Sequence, residues 1–248
     1  MVKISSSPLI YFIDSWRFPH PFWDYTDGRV GITDNLSPHL TLAGYSQGFF
    51  PWYQDELGYF HWFVGDEKGE RMIIFAGKGR ATRKLRQKLA SPLWEIRIQD
   101  PNWLQIVRGC ETRGGEGDGS WINDNFYQLY QQLWNMGHLK TIGVYYRGEL
   151  AGGLYGIQIN NYFTGESMFH SRPDASKLAL LYLTNVYAPA HDIPFIDCQI
   201  PNPYLAQMGG VALPIKKAIP LIRHASRWSP PIRKWREKEG EFGYTISR

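Results

Sequence analysis

The segment Phe195–Ile196–Asp197–Cys198–Gln199–Ile200 sets a carboxylate, a thiol and an amide side by side, just ahead of Pro201 and Asn202. Read as a strand, alternation turns Asp197 and Gln199 to one face and Cys198 to the other. A carboxylate and an amide two residues apart, near the carboxyl end of a central strand, suit the handling of a proton or an amine. Cys198, facing away from that pair, reads as a buried structural thiol and not as a nucleophile. A plainer reading has Asp197 capping the turn at Pro201–Asn202, and the segment alone favours it.

A second acid stands in Phe163–Thr164–Gly165–Glu166–Ser167–Met168–Phe169. On a strand, Glu166 and Met168 share a face and Gly165 lets another backbone or a ligand come close. Glu166 would receive an amine or a hydroxyl, and Met168 would form a pliable apolar wall. The competing reading is an ordinary edge strand with an exposed glutamate. Trp52 and Trp121 each stand where a loop meets an ordered element. Such a ring serves either to stack on a nucleobase or to pack between domains.

Several chemistries are set aside by spacing. The seven histidines are scattered, with no H-x-x-x-H or Cys/His pattern, so no metal centre is expected. No G-x-S-x-G elbow and no phosphate-binding P-loop occurs. Acyl-CoA enzymes of related architecture hold the pyrophosphate with a Gln/Arg-x-x-Gly-x-Gly/Ala loop. Here Arg172–Pro173–Asp174–Ala175–Ser176–Lys177 lacks both glycines and carries an aspartate, which disfavours coenzyme A. No cofactor is expected. Cys110 and Cys198 form no C-x-x-C pair. The N-terminal residues have no long apolar run or cleavage site, and no stretch is apolar enough to span a bilayer. A cytoplasmic protein without membrane contact is the expectation.

These side chains need a scaffold, and the 248 residues, 43% of them hydrophobic and ten of them Trp, are enough to build one. Residues 1–70, rich in aromatics, Pro and Gly, read as a small loop-rich domain with one helix around Leu36–Gly48. Residues 71–248 show cleaner periodicity. Strands are expected at Met72–Ala76, Trp94–Ile98, Thr141–Tyr146, Leu150–Ile159, Tyr162–Phe169 and Pro194–Gln199. Arg147–Gly148–Glu149 joins two of them as a hairpin, and Arg113–Gly119 is a loop. Helices are expected at Asn123–Met136, at Ala175–Tyr187 and around Tyr204–Met208. Another helix carries Ala81, Leu85 and Leu89 on one face and Arg80, Arg83, Lys84 and Lys88 on another. It belongs to a run from Lys78 to Leu89 with six basic residues and no acidic one. Against a net charge of only +4, that run and the Arg223–Lys238 stretch are where a polyanion would bind, unless they are plain solvated surface. The order of elements is α+β and compatible with an N-acetyltransferase-like domain carrying a small N-terminal domain.

Seven fragments in register carry a resemblance: YSQGFFPW (45–52), GSWI (119–122), ELAGGLYG (149–156), FTGESMF (163–169), ASKLAL (175–180), IDCQIPN (196–202) and the MGG ending at Gly210. Over roughly residues 30–220 the chain resembles the leucyl/phenylalanyl-tRNA–protein transferases. The resemblance implies transfer of Leu or Phe from aminoacyl-tRNA to proteins with N-terminal Arg or Lys, which marks them for degradation, by a monomer needing no metal or coenzyme. It implies that Trp52 and Trp121 flank the 3′-terminal adenosine, and that Gly165, Glu166 and Met168 lie around the aminoacyl ester. Phe163, Leu154, Leu180, Leu183 and Ile196 would line the apolar side-chain pocket. Asp197 and Gln199 would form the reaction centre with Asn202 beside them. Gln199 would orient the amine, and Asp197 would polarise its amide or relay a proton. Glu166 is one candidate for the acidic site that takes Arg or Lys. Arg80, Arg83, Lys84 and Lys88 would meet acceptor-stem phosphates.

Three segments depart from the family's usual pattern: His61–Glu67, Leu139–Gly143 and Leu213–Lys217. They bear on donor and acceptor specificity more than on reaction type. Two other readings stand beside this one: an acyl-CoA-dependent N-acyltransferase of the same fold, and a non-catalytic tRNA-binding adaptor.

Overall fold

The computed structural model describes residues 11–13, 18–21, 27–111 and 122–227. The first part of the chain forms strands β1 (Tyr11–Phe12) and β2 (Arg29–Thr33), helix α1 (Pro38–Gln47), and strands β3 (Phe50–Gln54) and β4 (Phe60–Phe63). Ser37 starts α1 by accepting a hydrogen bond from the Leu40 amide, and Pro38 fills the first turn. Gly48 ends the helix in the left-handed region, φ 96°. The four strands form one small sheet in the order β1-β2-β4-β3.

A second sheet gathers the rest. Its strands are β5 (Glu70–Phe75), β6 (Trp94–Ile98), β7 (Leu139–Tyr146), β8 (Glu149–Ile159), β9 (Tyr162–His170), β10 (Phe195–Asp197) and β11 (Val211–Pro214). The helices between them are α2 (Arg83–Leu89), α3 (Trp103–Glu111), α4 (Asp124–Asn135), α5 (Ala175–Tyr182), the short turn α6 (Ala188–Ala190), α7 (Pro203–Gln207) and α8 (Ile215–Arg227). The strand order is β11-β5-β10-β9-β8-β7-β6, antiparallel throughout except for β10 against β9. The mixed α+β class therefore stands.

Several boundaries moved, each for a local reason. Thr82 caps α2 by accepting from the Leu85 amide, so the helix begins at Arg83 and Arg80 lies outside it. The amide of Arg80 donates instead to the carbonyl of Met208, just past α7. The helix expected to run from Ala175 to Tyr187 widens after Tyr182 into a π-helical turn, Leu183–Tyr187. Strand β10 stops at Asp197, because Gln199 takes a left-handed backbone, φ 60°. Two further helices are present. Helix α3 buries Trp103, Ile106, Val107 and Cys110, an i, i+3, i+4, i+7 face. Helix α8 buries Ala218, Ile219, Ile222 and Ala225 and keeps Pro220 on its exposed side.

Side chains alternate along β8, so the large sheet has a core on each face. Leu154 belongs to the cluster with α5, and Tyr155 to the cluster shared by α3, α4 and the small sheet. Strands β9 and β10 pair only at Phe163↔Ile196 and Thr164↔Asp197. Beyond Thr164 they part, and the gap opens both faces of the sheet to one cavity.

Candidate active site

Glu166 owes its position to a β-bulge. Tyr155 pairs with Ser167 and Gly156 with Gly165, which leaves Glu166 as the extra residue of β9 with no partner on β8. A Cβ on Gly156 would stand 2.3 Å from the carbonyl oxygen of Thr164, so only glycine fits opposite the bulge. A Cβ on Gly165 would meet only the Asp197 carbonyl oxygen, at 3.7 Å. The protein's own backbone therefore does not demand glycine at 165, whose open side faces the cavity.

The bulged carboxylate is held on one oxygen. Oε1 of Glu166 accepts from the Tyr45 hydroxyl at 2.7 Å and from Nε2 of Gln199 at 3.1 Å. Nε2 of Gln199 also reaches Oγ1 of Thr164 at 3.1 Å. With its nitrogen committed to these acceptors, the Gln199 amide has its oxygen left to receive a donor. Burial, aided by the negative charge of Asp197, pushes the Glu166 carboxyl up to about 7 against the lowering hydrogen bonds from Tyr45 and Gln199. Burial and the neighbouring glutamate hold the Tyr45 phenol well above its ordinary range, so it stays a donor.

Asp197 stands behind this group with no exposed surface. Its Oδ1 accepts from Nε of Arg71 and from the amide of Gln199, both at 2.9 Å. Its Oδ2 accepts from Nη2 of Arg71 at 2.7 Å and from the Tyr162 hydroxyl at 2.6 Å. Both oxygens are taken up inside the protein. The aspartate does cap a turn, at Gln199 and not at Pro201–Asn202, and it holds the backbone of Gln199 without touching its amide side chain. Burial and the charge of Asp197 raise the Tyr162 phenol far above its usual range. Burial alone would lower the fully buried Arg71, but the charge and hydrogen bonds of Asp197 outweigh it and raise it further.

One cavity of about 660 Å³ collects most of the expected residues. Trp52, Leu154, Gly165, Glu166, Met168, Leu180, Leu183, Ile196, Gln199 and Asn202 all line it. Trp52 stands at the rim, 38% exposed, with its ring edge-to-face on Phe63 at 4.9 Å. Leu183 comes from the π-helical turn. Asn202 caps α7 by accepting from the Leu205 amide.

The remaining expected residues are placed differently. Asp197 is enclosed and does not line the cavity. Phe163 is fully buried and absent from the lining; its ring covers Gly156. Cys198 does line the cavity together with Gln199, because the left-handed turn breaks the alternation that would have separated them. It is still no nucleophile: burial and the charge of Asp197 push its thiol far above the thiolate range. Trp121 and the Arg113–Gly119 loop lie outside the described residues. Arg83 and Lys84 are exposed on α2, away from the lining. Nζ of Lys88 donates to Oδ2 of Asp174 at 2.7 Å, in a partly exposed ion pair.

Sequence reasoning missed Tyr45, Arg71 and Tyr162, which build the support, and Glu111 and Tyr155, which also line the cavity. Arg71 was the findable one, since an arginine inside the apolar run Met72–Phe75 and its flanks needs a buried partner.

Two family models match the chain. Leucyl/phenylalanyl-tRNA protein transferase covers residues 73–222, and leucyl/phenylalanyl-tRNA protein transferase N-terminal domain covers residues 34–63. Relatives of the same name include one from Idiomarina loihiensis, 32% identical over 86% of this chain and 88% of its own length. Another, from Cupriavidus pinatubonensis, is 38% identical over 84% of this chain and 82% of its own. Among solved structures, L-PGS from Bacillus licheniformis aligns at a TM-score of 0.41 and 10% identity, over 80% of this chain and 73% of that one.

Proposed function

The chain belongs to the leucyl/phenylalanyl-tRNA–protein transferase family, and from that membership we propose that Glu166 and Gln199 carry aminoacyl transfer from tRNA to a protein N-terminus, Leu or Phe being the donor residue and Arg or Lys the first residue of the acceptor. The modified protein is thereby marked for degradation.

The reaction asks little covalent chemistry of the enzyme. The acceptor's α-amine nitrogen attacks the ester carbonyl carbon, and the peptide bond forms as the C–O bond to the ribose breaks. The nitrogen gives up a proton, and the ribose oxygen gains one. A side chain that aligns the amine and one that takes its proton are sufficient help. In this reading Oε1 of Gln199 aligns the amine, since its nitrogen is committed to Glu166 and Thr164. Glu166 receives the proton: a carboxyl near 7 changes its protonation state close to neutral pH. The observation that carries the proposal is the Tyr45–Glu166–Gln199 contact set on a bulge inside the cavity. Asp197 is then a positioning residue, acting through the Gln199 backbone.

The donor side chain fills the apolar wall of Leu154, Met168, Leu180, Leu183 and Ile196, where an unpaired charge would be costly. Trp52 supports the 3′-terminal adenosine by stacking, worth about 1–3 kcal/mol per base. The basic stretch reaches the cavity through α7, because Arg80 bonds to the residue after that helix while Pro203, Tyr204 and Leu205 line the wall. Arg80, Arg83 and Lys84 are thus the phosphate contacts. We read residues 71–248 as an N-acetyltransferase-like domain, supported by an antiparallel series that meets a single parallel pair, and residues 1–70 as the small domain. The protein is taken to act as a monomer. No described helix is long and apolar enough to cross a membrane; a cytoplasmic site is proposed because the donor is a charged tRNA.

The test is transfer of labelled Leu or Phe from charged tRNA to a peptide beginning with Arg or Lys. Tight tRNA binding without transfer would favour the adaptor, and transfer only from acyl-CoA would favour the other enzyme.

A further inference from the structure

The cavity has two unlike sides. Toward α5 it is apolar, and on the proposed function that side holds the donor. Toward α3, across the sheet, it is lined by Cys110, Glu111 and Tyr155. Glu111 is the last residue of α3, where the negative end of the helix disfavours a second negative charge. One of its oxygens is engaged among the described residues: Oε2 accepts from the Tyr127 hydroxyl. Among the described residues no cation pairs with it; Arg108, one turn back, stays exposed and forms no ion pair. Tyr155 gives that side its ring, while its hydroxyl is enclosed beside Tyr130. Glu111 is half-buried, and a carboxylate oxygen left open at a cavity wall is placed to receive a charged donor.

We propose that this α3 side is a cation subsite, in which Glu111 holds the ammonium or guanidinium of the acceptor's first side chain. The inference rests on the proposed function and changes the part played by each acid. Glu166, already holding two donors on Oε1, attends to the α-amine; Glu111, one residue beyond Cys110, takes the side chain. The acceptor then enters from the face opposite the donor's apolar wall, and its amine arrives at the gap between β9 and β10.

The experiment uses the full chain, charged Leu-tRNA and peptides that differ only in their first residue: Arg, its neutral isostere citrulline, Lys and norleucine. The wild-type protein is expected to show an acceptor KM about ten- to a hundredfold lower for Arg than for citrulline, the size of a charge-assisted contact. In Glu111→Gln the Arg peptide loses that advantage, so that the two peptides differ by about twofold or less. The loss falls on the acceptor KM, with the donor KM and kcat moving far less. Tyr127→Phe, which frees Glu111 without removing its charge, keeps the preference for Arg. Wild-type discrimination persisting in Glu111→Gln, or a wild-type protein indifferent to the charge, overturns the subsite while transfer itself stands. No transfer by the wild-type protein to any of the peptides overturns the proposed function, and the subsite with it.

Discussion

Arg71 and Asp197 lie side by side, two nitrogens on two oxygens at 2.9 and 2.7 Å, with no exposed surface on either side chain. The same guanidinium gives Nη1 to the carbonyls of Gly48 and Val64 and lies over the ring of Phe50 at 4.5 Å. One buried cation thus joins the segments around the small sheet to the aspartate that holds Gln199. The pair is a framework element at the back of the site, which changes what its removal should do.

Replacing Asp197 by Ala leaves a guanidinium buried without its anion, at a cost of about 3–5 kcal/mol. For a chain of this size the melting midpoint should fall by about 10 °C or more. Transfer should fall with it, and tRNA affinity should follow the folded fraction. An Asp197→Ala protein that melts like the wild type yet fails to transfer would return the aspartate to a direct chemical role.

Glu166 gives a pH signature in both stability and rate. Its carboxyl is raised from 4.5 to about 7 by burial, so the folded state holds a proton that the unfolded chain has already lost. That contribution is complete below pH 4.5 and disappears as the pH rises through about 7. Chemical denaturation across this window should show wild-type stability declining relative to Glu166→Gln. The rate should run the other way, rising through about pH 7 as the base ionises, and Glu166→Gln should lack that limb.

Gln199→Ala should lower kcat by about a hundredfold, the scale of a misplaced reacting group, and leave donor KM within a few-fold of wild type. The main chain keeps its bond to Asp197, so the melting midpoint should barely move. Single-turnover kinetics with preloaded aminoacyl-tRNA would separate the two effects. A large change in donor affinity would assign Gln199 to binding.

The cations of α2 should not behave alike. Arg83→Ala and Lys84→Ala should each weaken tRNA binding and reduce the salt slope of log K by roughly one. Lys88→Ala should do less, because its ammonium is engaged by Asp174 and lies 5.4 Å from the ring of Trp94. Filter binding from low to moderate salt measures all three. Equal slopes would mean that Asp174 releases Lys88 on binding.

Much of the scaffold was legible because hydrophobic period and capping chemistry agree with the fold, as at Ser37, Asn123 and the Arg147–Gly148 hairpin. Helix α3 carries the same signal, an apolar face of Trp103, Ile106, Val107 and Cys110. The wall of the cavity was legible only through family fragments, since Leu154, Leu180 and Leu183 look like any core leucine. The support of the site was barely legible. Arg71 beside an apolar run calls for a buried partner, but nothing in sequence says that the partner is Asp197, 126 positions away, or that Tyr45 will reach Glu166. Strict alternation also failed where it was most relied on, because left-handed backbone at Gln199 ends the strand's period.

The bulge on β9 makes Glu166 a spacer as well as an acid. Deleting it would let Gly165 and Ser167 follow each other on Gly156 and Tyr155 in a regular ladder, with the later pairs, Met168 on Leu154 among them, unchanged. What would go is the local bend and added twist that a bulge puts into its strand. A substitution silences the carboxylate and keeps the bend; a deletion straightens the wall. Residue count between Thr164 and Met168 is therefore under its own constraint, separate from chemistry, and a lineage that dispensed with the acid would still have to keep a residue in its place.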